Sequence, residues 1–290
     1  MVDIHDDMAG APVIHLILAD ISGLAFCSFS LQPSTFSLLF VGIAGLALGS
    51  FLNVVIYRLP RKESIIFPGS HCPSCGASIS FRDNIPCVSY LLLRGRCRHC
   101  SASISWRYPF VELLTALFAV GLYVLNDSLA NFTADVALAS ILLAVFAIDL
   151  RHMIIPDRLN AAGALLALPL MFRWGVYGIL RGMYGVLVGV IILAIMMAMG
   201  HLVFKRQGIG MGDVKLAVVI GLFLGPFWSF ITFIIAVFLG GTWGVISLVR
   251  GSVRTGQEVP FGPFIALGGF CVLFFKLPIL YMIEHYLSLL

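Results

Sequence analysis

The sequence predicts an all-α polytopic membrane protein with about eight transmembrane helices and one small cytoplasmic loop domain. Three observations lead to this fold class: the composition, a series of long apolar runs, and a single long hydrophilic loop rich in basic residues. Of the 290 residues 60% are hydrophobic and 11% are charged, and the mean hydropathy is +1.03. Soluble domains carry about 25% charged residues, because they must cover their surface with polar groups. Soluble enzymes are therefore excluded, and nothing in the composition supports binding to nucleic acid.

Residues 1–35 are predicted to be an N-terminal extension that is periplasmic or interfacial. Three aspartates occur before residue 8, and the first lysine or arginine is Arg58. A secretory signal peptide with a basic start is therefore not expected, and the acidic start favours an external amino terminus. The apolar run 13–29 contains His15 and Asp20, which are costly at the bilayer centre, so we expect it to lie at the membrane interface.

Seven apolar runs approach the length of about 20 residues that a bilayer core requires of a helix. They lie near 36–57, 109–125, 134–150, 183–203, 214–228, 229–249 and 260–283. An eighth run, 161–172, is short and contains Pro169, so it forms either a short tilted span or the start of one that continues to Ile179. Eight spans are expected, and seven remain an alternative. The stretch 214–249 is too long for one crossing, and Gly225-Pro226 predicts a reversal of direction within it.

Basic residues are concentrated in alternate loops, which predicts the orientation of the protein in the membrane. The segment 58–108 contains eight lysines and arginines, and three other loops on the same side contain two each. The opposite loops contain Arg173 and Arg181. Since basic residues stay on the cytoplasmic side, eight spans place both termini outside. The segment 58–108 is then a cytoplasmic domain between the first transmembrane helix, 36–57, and the transmembrane core, 109–290.

Two C-x-x-C pairs in this cytoplasmic loop predict a structural zinc site. The pairs are separated by 21 residues, a spacing at which four thiolates can surround one Zn²⁺ tetrahedrally. A loop of this size has little apolar core, so a bound metal would contribute to its folding. Two disulfides or four unrelated thiols are the alternatives, and a reducing cytoplasm disfavours the disulfides. The predicted ligands are Cys72, Cys75, Cys97 and Cys100.

Other residues of this half have less specific interpretations. Cys87 has no partner at ligand spacing and is predicted to be a small packing residue. Gly42, Gly45 and Gly49 are typical of a helix face that packs closely against another helix. Asn53 lies near the cytoplasmic end of the first span and needs hydrogen-bond partners there. It is expected to order either the zinc loop or a bound ligand.

Two aspartates mark the candidate chemistry. Asp149 ends the span 134–150, and Asp213 begins the next span after the loop 204–213, so both fall at the cytoplasmic membrane boundary. An ionisable group in a membrane helix is a functional candidate by default. The simpler alternative is that Asp213 caps its helix and that Asp149 is a helix-end charge facing water.

The residues around Asp213 support a functional interpretation. Gly210 and Gly212 precede it, and glycines at the start of a helix permit close approach of another backbone. The amino end of a helix also stabilises a carboxylate. Glu112 and Lys215 each lie just inside a span and are candidates to orient or neutralise the acidic pair, although snorkelling also explains Lys215.

Two carboxylates that meet in a half-buried site cannot both ionise, so one acts as acid while the other activates water. This arrangement predicts an aspartyl protease acting on a peptide bond at the cytoplasmic edge of the bilayer. A transporter that relays protons or cations is the main alternative, but transporters place such acids near the midplane. A third possibility is an assembly scaffold that uses the zinc loop as a platform, which leaves the acids without a role.

The ordered motifs of the chain resemble those of the prepilin peptidases, which are aspartyl proteases with a G-x-G-D motif. The resemblance extends over about 40–270. The matching stretches are GSFLNVVIYRLP from Gly49, NIP at 84–86, LRGRC at 93–97, RYPFVE at 107–112, GMGDVK at 210–215 and PFGPFIALGG from Pro260. It implies a bifunctional leader peptidase and N-methyltransferase of type IV pilus or type II secretion systems, located in the bacterial inner membrane.

By this resemblance Asp149 and Asp213 are the catalytic pair, and they remove the basic leader from prepilins or pseudopilins after a glycine. The same family transfers a methyl group from S-adenosylmethionine to the new amino terminus. Gly95 matches a family position tied to methylation, and Asn53 is a second candidate for the cofactor site. No G-x-G-x-x-G unit occurs in the sequence, so methyl transfer is implied by the resemblance alone.

Overall fold

The computed structural model describes residues 33–204, 210–251 and 259–287. Within these residues the regular secondary structure is helical, and β-pairing is limited to two isolated bridges. The helices are α1 (Thr35–Arg58), α2 (Val88–Leu92), α3 (Arg107–Leu125), α4 (Leu129–His152), α5 (Asp157–Arg173), α6 (Gly175–Phe204), α7 (Met211–Val249) and α8 (Gly262–Leu287). The predicted all-α fold is confirmed. The predicted extension 1–35 lies almost wholly outside the described residues.

Five helices of the described residues are long and apolar enough to cross a membrane: α1, α3, α4, α6 and α7. The helix α5 has 17 residues, and the apolar part of α8, Gly262–Lys276, is also short. A total of eight spans is therefore not confirmed. The alternative in which the run from 161 continues to Ile179 is wrong, because α5 ends at Arg173 and Gly175 has a φ of 58°.

The long helix α7 folds back on itself at Gly225. This glycine has φ 75° and ψ −176°, which only glycine adopts readily, and Pro226 follows it. A Cβ built on Gly189 of α6 would lie 3.3 Å from Ala217 and 2.9 Å from Phe233, so these two residues of α7 are neighbours. In a straight helix they would be about 24 Å apart. The reversal predicted within 214–249 is confirmed.

The described chain divides into two compact units, here called the first unit (up to Arg158) and the second unit (from Leu159). In the second unit the side chain of Arg181 on α6 supports the reversal of α7. Its guanidinium donates to the carbonyls of Leu224 at 2.7 Å and Phe223 at 3.4 Å. These carbonyls end a helical segment and lack partners within it, so an arginine from a neighbouring helix stabilises them.

In the first unit α1 and α3 approach closely because two glycines of α1 face the backbone of α3. A Cβ at Gly45 would lie 2.7 Å from the Cα of Ala116, and one at Gly49 would lie 2.6 Å from the Cα of Glu112. A larger residue would therefore push the helices apart. The predicted close packing is confirmed for Gly45 and Gly49, and it determines where Glu112 stands. A Cβ at Gly42 would lie 3.7 Å from Val120, an ordinary contact, so close packing does not require glycine there.

The helix α4 contributes a continuous buried face to the first unit. Leu138, Leu142 and Val145 are fully buried, and their spacing is that of one side of an α-helix. Asp149 continues this row one turn after Val145 and is 4% exposed. It is therefore not a helix-end charge facing water, and that alternative is wrong.

Candidate functional site

Four cysteines meet at one point in the segment 59–106 between α1 and α3, here called the cysteine loop. Their Sγ atoms all lie within 4.8 Å of one another, and those of Cys72 and Cys100 are 3.8 Å apart. A disulfide has an S–S distance of about 2.05 Å, and all four thiols are free. Tetrahedral Zn–S bonds of about 2.3 Å would place the sulfurs about 3.8 Å apart. The predicted set of Cys72, Cys75, Cys97 and Cys100 is brought together and could hold Zn²⁺.

Each cysteine pair occupies the same kind of backbone turn. In the first turn Cys72 donates its N–H to Ala77, and Gly76 donates to the carbonyl of Cys72, both at 2.9 Å. Cys97 and Ser101 make the equivalent bonds in the second turn. Gly76 and Ser101 have φ values of 70° and 53°. The two turns therefore present their thiols in the same way.

The backbone around the first pair favours the thiolate of Cys72. Hydrogen bonds from the backbone of Cys75 and then Ser74 lower the pKa of Cys72 from its ordinary 9.0 to about 6. The thiolate is the form that binds a metal. This residue is therefore ready to act as a ligand at neutral pH.

Two arginines stabilise the cysteine loop. Arg58, at the end of α1, is buried, and its guanidinium donates to the carbonyls of Ser64 at 2.9 Å and Gly69 at 3.1 Å. Arg98 forms two bonds to the carboxylate of Asp83, at 2.6 and 2.8 Å. The hydrogen bond from Arg98 holds the pKa of Asp83 below its usual range. Because Arg98 is largely exposed, we assign most of the anchoring to Arg58.

A cavity of about 380 Å³ lies in the first unit, between the last turns of α1, the first turns of α3 and the cysteine loop. This volume falls in the range of roughly 300–1,000 Å³ that is usual for small-molecule pockets. Its wall combines aromatic rings with a few polar groups and includes two of the clustered cysteines. The polar and aromatic side chains of the wall include those of Asn53, Arg58, Cys87, Tyr90, Tyr108 and Glu112.

Glu112 brings a buried carboxylate to this cavity. It is 7% exposed, and its Oε2 accepts the N–H of Cys87 at 2.7 Å and the thiol of Cys87 at 3.4 Å. Burial, followed by the hydrogen bond and the charge of Glu112, raises the pKa of Cys87 to about 11. Cys87 therefore stays a neutral donor. The prediction that it is a simple packing residue is wrong.

Asn53 and Gly95, the two residues predicted to act at a cofactor site, both belong to this region. Asn53 lines the cavity, and its amide donates to the backbone carbonyl of Tyr108 at 3.0 Å, which joins α1 to α3. Gly95 has a φ of 67°, and a Cβ there would lie 3.1 Å from the hydroxyl of Tyr90. Tyr90 lines the cavity, whereas Gly95 does not. The absence of a Cβ at Gly95 leaves the space that the Tyr90 side chain occupies.

The two aspartates are buried in different units. Asp213, in the second unit, is 7% exposed at the start of α7, where its Oδ2 accepts the N–H of Gly210 at 2.9 Å. The N-cap of α7 is Gly210, and Asp213 at the third helical position bonds back to it, so the alternative in which Asp213 is itself the N-cap is wrong. Asp149 lies in the first unit, and the pairing of the two acids stays a prediction.

The supporting residues around Asp213 are less constrained than expected. A Cβ at Gly210 would stand 3.5 Å from the Asp213 carboxylate, an ordinary contact. Steric crowding among the described residues therefore does not require glycine at this position. Lys215 is exposed, which agrees with snorkelling.

The structural roles of Arg58, Cys87 and Tyr90 were not predicted from the sequence. The sequence interpretation also placed Glu112 among candidates to orient the aspartates, whereas the described structure places this carboxylate on Cys87 in the cavity wall. A signal was available for Glu112, because an acid inside an apolar helix requires a compensating partner. Nothing in the sequence indicates which partner it has.

Two family models match the chain. The Bacterial Peptidase A24 N-terminal domain matches residues 43–125, and the Type IV leader peptidase family matches residues 136–245. The first match contains the cysteine loop, the cavity and Glu112. The second contains both Asp149 and Asp213. No solved structure matches the chain.

Curated relatives resemble the chain over most of its length. A prepilin leader peptidase/N-methyltransferase from Burkholderia pseudomallei (strain 1026b) is 33% identical, over 87% of this chain and 89% of the relative. A type 4 prepilin-like proteins leader peptide-processing enzyme from Escherichia coli O78:H11 is 36% identical, over 87% and 99%. A prepilin leader peptidase/N-methyltransferase from Pseudomonas aeruginosa is 32% identical, over 80% and 88%.

Proposed function

The chain belongs to the type IV leader peptidase family, and from this premise we propose that it removes the leader peptide from prepilins or pseudopilins and methylates the new amino terminus. The observation that carries the proposal is the presence of both family regions, in order, in one chain. Relatives named for both activities align with this chain across both regions. The transporter alternative has no support among these relatives.

The peptidase reaction is assigned to Asp149 and Asp213. Each is buried, and burial disfavours the ionised form of an acid unless a partner compensates. In the proposed pair one ionised carboxylate takes a proton from water, and the water oxygen attacks the scissile carbonyl carbon. The protonated acid supplies a proton to the departing amine as the C–N bond breaks.

The reaction is placed at the cytoplasmic face of the bacterial inner membrane. The support is the distribution of basic residues, which puts the cysteine loop and the ends of α4 and α7 that carry the two acids on one side. The bilayer would hold the hydrophobic helix of the substrate while the basic leader stays in the cytoplasm. Type IV pili and type II secretion systems are the assemblies that use such substrates.

The methylation reaction is assigned to the cavity of the first unit. S-adenosylmethionine supplies the methyl group when bound. The residues fit such a molecule, because the cavity has a suitable volume, aromatic side chains and a buried carboxylate that matches a positively charged ligand. Tyr90 and Tyr108 offer faces for stacking a base. Gly95 and Asn53 maintain the positions of these two tyrosines in the cavity wall.

Zn²⁺ is assigned to the four clustered cysteines, with a structural role, because four sulfur ligands leave no open position for a substrate. Cys72 and Cys97 also line the cavity. The metal would therefore stabilise part of the methylation pocket. It takes no direct part in peptide hydrolysis.

A peptide assay tests the proposed function. The full-length protein in detergent is incubated with a hydrophobic peptide that carries a short basic leader ending in glycine, with S-adenosylmethionine present. Mass spectrometry is expected to find cleavage after the glycine and a gain of one methyl group on the new amino terminus. Intact peptide after prolonged incubation would refute the proposal and favour the transporter alternative.

A further inference from the structure

We propose that the free side of the Glu112 carboxylate binds a protonated α-amino group inside the cavity. This inference rests on the proposed function and deepens it, since it assigns the group that holds an ammonium group in the cavity proposed for methylation. No sequence motif assigns this role to Glu112. The inference comes from the way the carboxylate is buried and bonded.

The Glu112 carboxylate is buried without a basic partner among the described residues. Glu112 is 7% exposed, and no lysine or arginine of the described chain forms an ion pair with it. The arginine that shares the cavity, Arg58, directs its guanidinium to the carbonyls of Ser64 and Gly69 instead. A buried carboxylate without a cation is costly. A cationic ligand in the cavity would remove this cost.

The two oxygens of the Glu112 carboxylate differ in their hydrogen bonds to the described residues. Both hydrogen bonds that the described residues make to Glu112 are accepted by Oε2, from the N–H and the thiol of Cys87. These bonds orient the carboxylate and leave Oε1 for a ligand. A bond from a charged donor to this oxygen contributes more than one between neutral groups.

Contacts between α1 and α3 hold Glu112 in place. The Cα of Glu112 is held against Gly49, and Asn53, one turn further along α1, bonds to the carbonyl of Tyr108. These contacts join α1 to α3 at Glu112 and one turn before it. An ammonium group entering the cavity would therefore meet an anion that is already in place, which lowers the cost of ordering it.

Where the bound ammonium group is that of the processed peptide, this placement also provides a route for its proton. A protonated amine cannot act as a nucleophile, because its lone pair holds a proton. Transfer of that proton to Glu112 leaves a neutral amine and a carboxylic acid. The amine lone pair then forms the bond to the methyl carbon, the carbon–sulfur bond breaks, and its electron pair goes to sulfur.

Two molecules of the proposed reaction carry such an α-amino group: the processed peptide and the amino-acid part of the methyl donor. Binding measurements on the full-length protein separate them. One pair of probes is a mature pilin-like peptide with a free amino terminus and the same peptide N-acetylated. The other pair is S-adenosylhomocysteine and its N-acetyl derivative. We expect the wild type to prefer the free amine in at least one pair by roughly 10- to 100-fold.

The pair that shows the preference identifies the source of the ammonium group. Glu112→Gln should abolish that preference, since the amide keeps the shape and loses the charge, while Glu112→Asp should retain part of it. Glu63→Gln is the matched control, because it removes the same charge from an exposed position of the same unit. It should leave the preference unchanged.

Equal binding of the free and acetylated forms in both pairs by the wild type would overturn the inference without any variant. So would an unchanged preference in Glu112→Gln. The outcome is separate from that of the proposed function. If the wild type cleaves and methylates peptide but has no amine preference, only the role of Glu112 fails. If it processes no peptide at all, the proposed function fails.

Discussion

Gly49 of α1 lies directly against the backbone of Glu112 in α3, so that a Cβ at residue 49 would stand 2.6 Å from the Glu112 Cα. The only carboxylate of α3 therefore stands where α1 and α3 approach closely, in the wall of the cavity. The packing at Gly49 of α1 therefore affects the location of the Glu112 carboxylate on α3. The arrangement explains why a change of one methyl group at residue 49 should affect chemistry.

Gly49→Ala is expected to separate α1 from α3 and to reduce methylation by about tenfold or more, since the overpacking of a close helix contact costs roughly 1–3 kcal/mol. Methylation of a processed peptide by the purified variant checks this. Gly42→Ala is the control, because a Cβ there would meet Val120 at an ordinary 3.7 Å. Equal methylation by the two variants would contradict the packing argument.

Gly95→Ala is expected to impair methylation while cleavage continues. The new Cβ would meet the hydroxyl of Tyr90 at 3.1 Å and displace this side chain in the cavity wall. Gly76→Ala is the matched control, since it has a similar φ of 70° but no atom within 4 Å of its Cβ. Both variants carry the strain of a positive φ, about 1 kcal/mol. A Gly76→Ala variant with the same loss of methylation would assign the effect to backbone strain.

Asp149→Asn and Asp213→Asn are each expected to reduce leader cleavage by about 10³-fold or more, because loss of one member of an acid–base pair removes the catalytic proton transfer. Methylation of a peptide supplied in processed form should persist. Asp127→Asn, at an exposed position, is the control. Near-normal cleavage by either Asp149 or Asp213 variant would exclude that residue from the mechanism.

Replacement of Cys72 and Cys97 by serine is expected to release the metal and to make the cysteine loop sensitive to protease. Metal analysis of wild-type and variant protein, together with limited proteolysis, checks both effects. Cys271→Ser is a suitable control, since Cys271 lies outside the cluster. If wild-type protein purified without chelators contains no zinc, the metal assignment is refuted. The proposed catalytic role of the two aspartates does not depend on this result.

The cysteine loop is expected to become less stable as the pH falls from 9 towards 6. The pKa of Cys72 is lowered from 9.0 to about 6 in the folded loop, chiefly by backbone hydrogen bonds from Cys75 and Ser74. A group whose pKa is lower when folded stabilises the fold above its ordinary pKa, and this contribution is lost through the folded pKa. Limited proteolysis of the metal-free protein at pH 8 and at pH 6 measures this loss of stability. The difference between the two pH values should be smaller in Cys72→Ser.

The sequence alone determined the features that depend on local pattern. The apolar runs predicted the long apolar helices, the two C-x-x-C pairs predicted a cluster of four cysteines that could hold a metal, and Gly225-Pro226 predicted the reversal of α7. These features follow from the spacing of residues close together in the chain, where geometry is set by the helix repeat or by a short turn.

Only the tertiary structure decided which distant side chains share the cavity. It brought Cys87 to Glu112, directed Arg58 into the cysteine loop, and placed Tyr90 in front of Gly95. These contacts depend on how closely α1 and α3 approach and on how the loop closes over them. Residue patterns encode the face that a helix buries, but the partner it meets is determined by packing among all the elements at once.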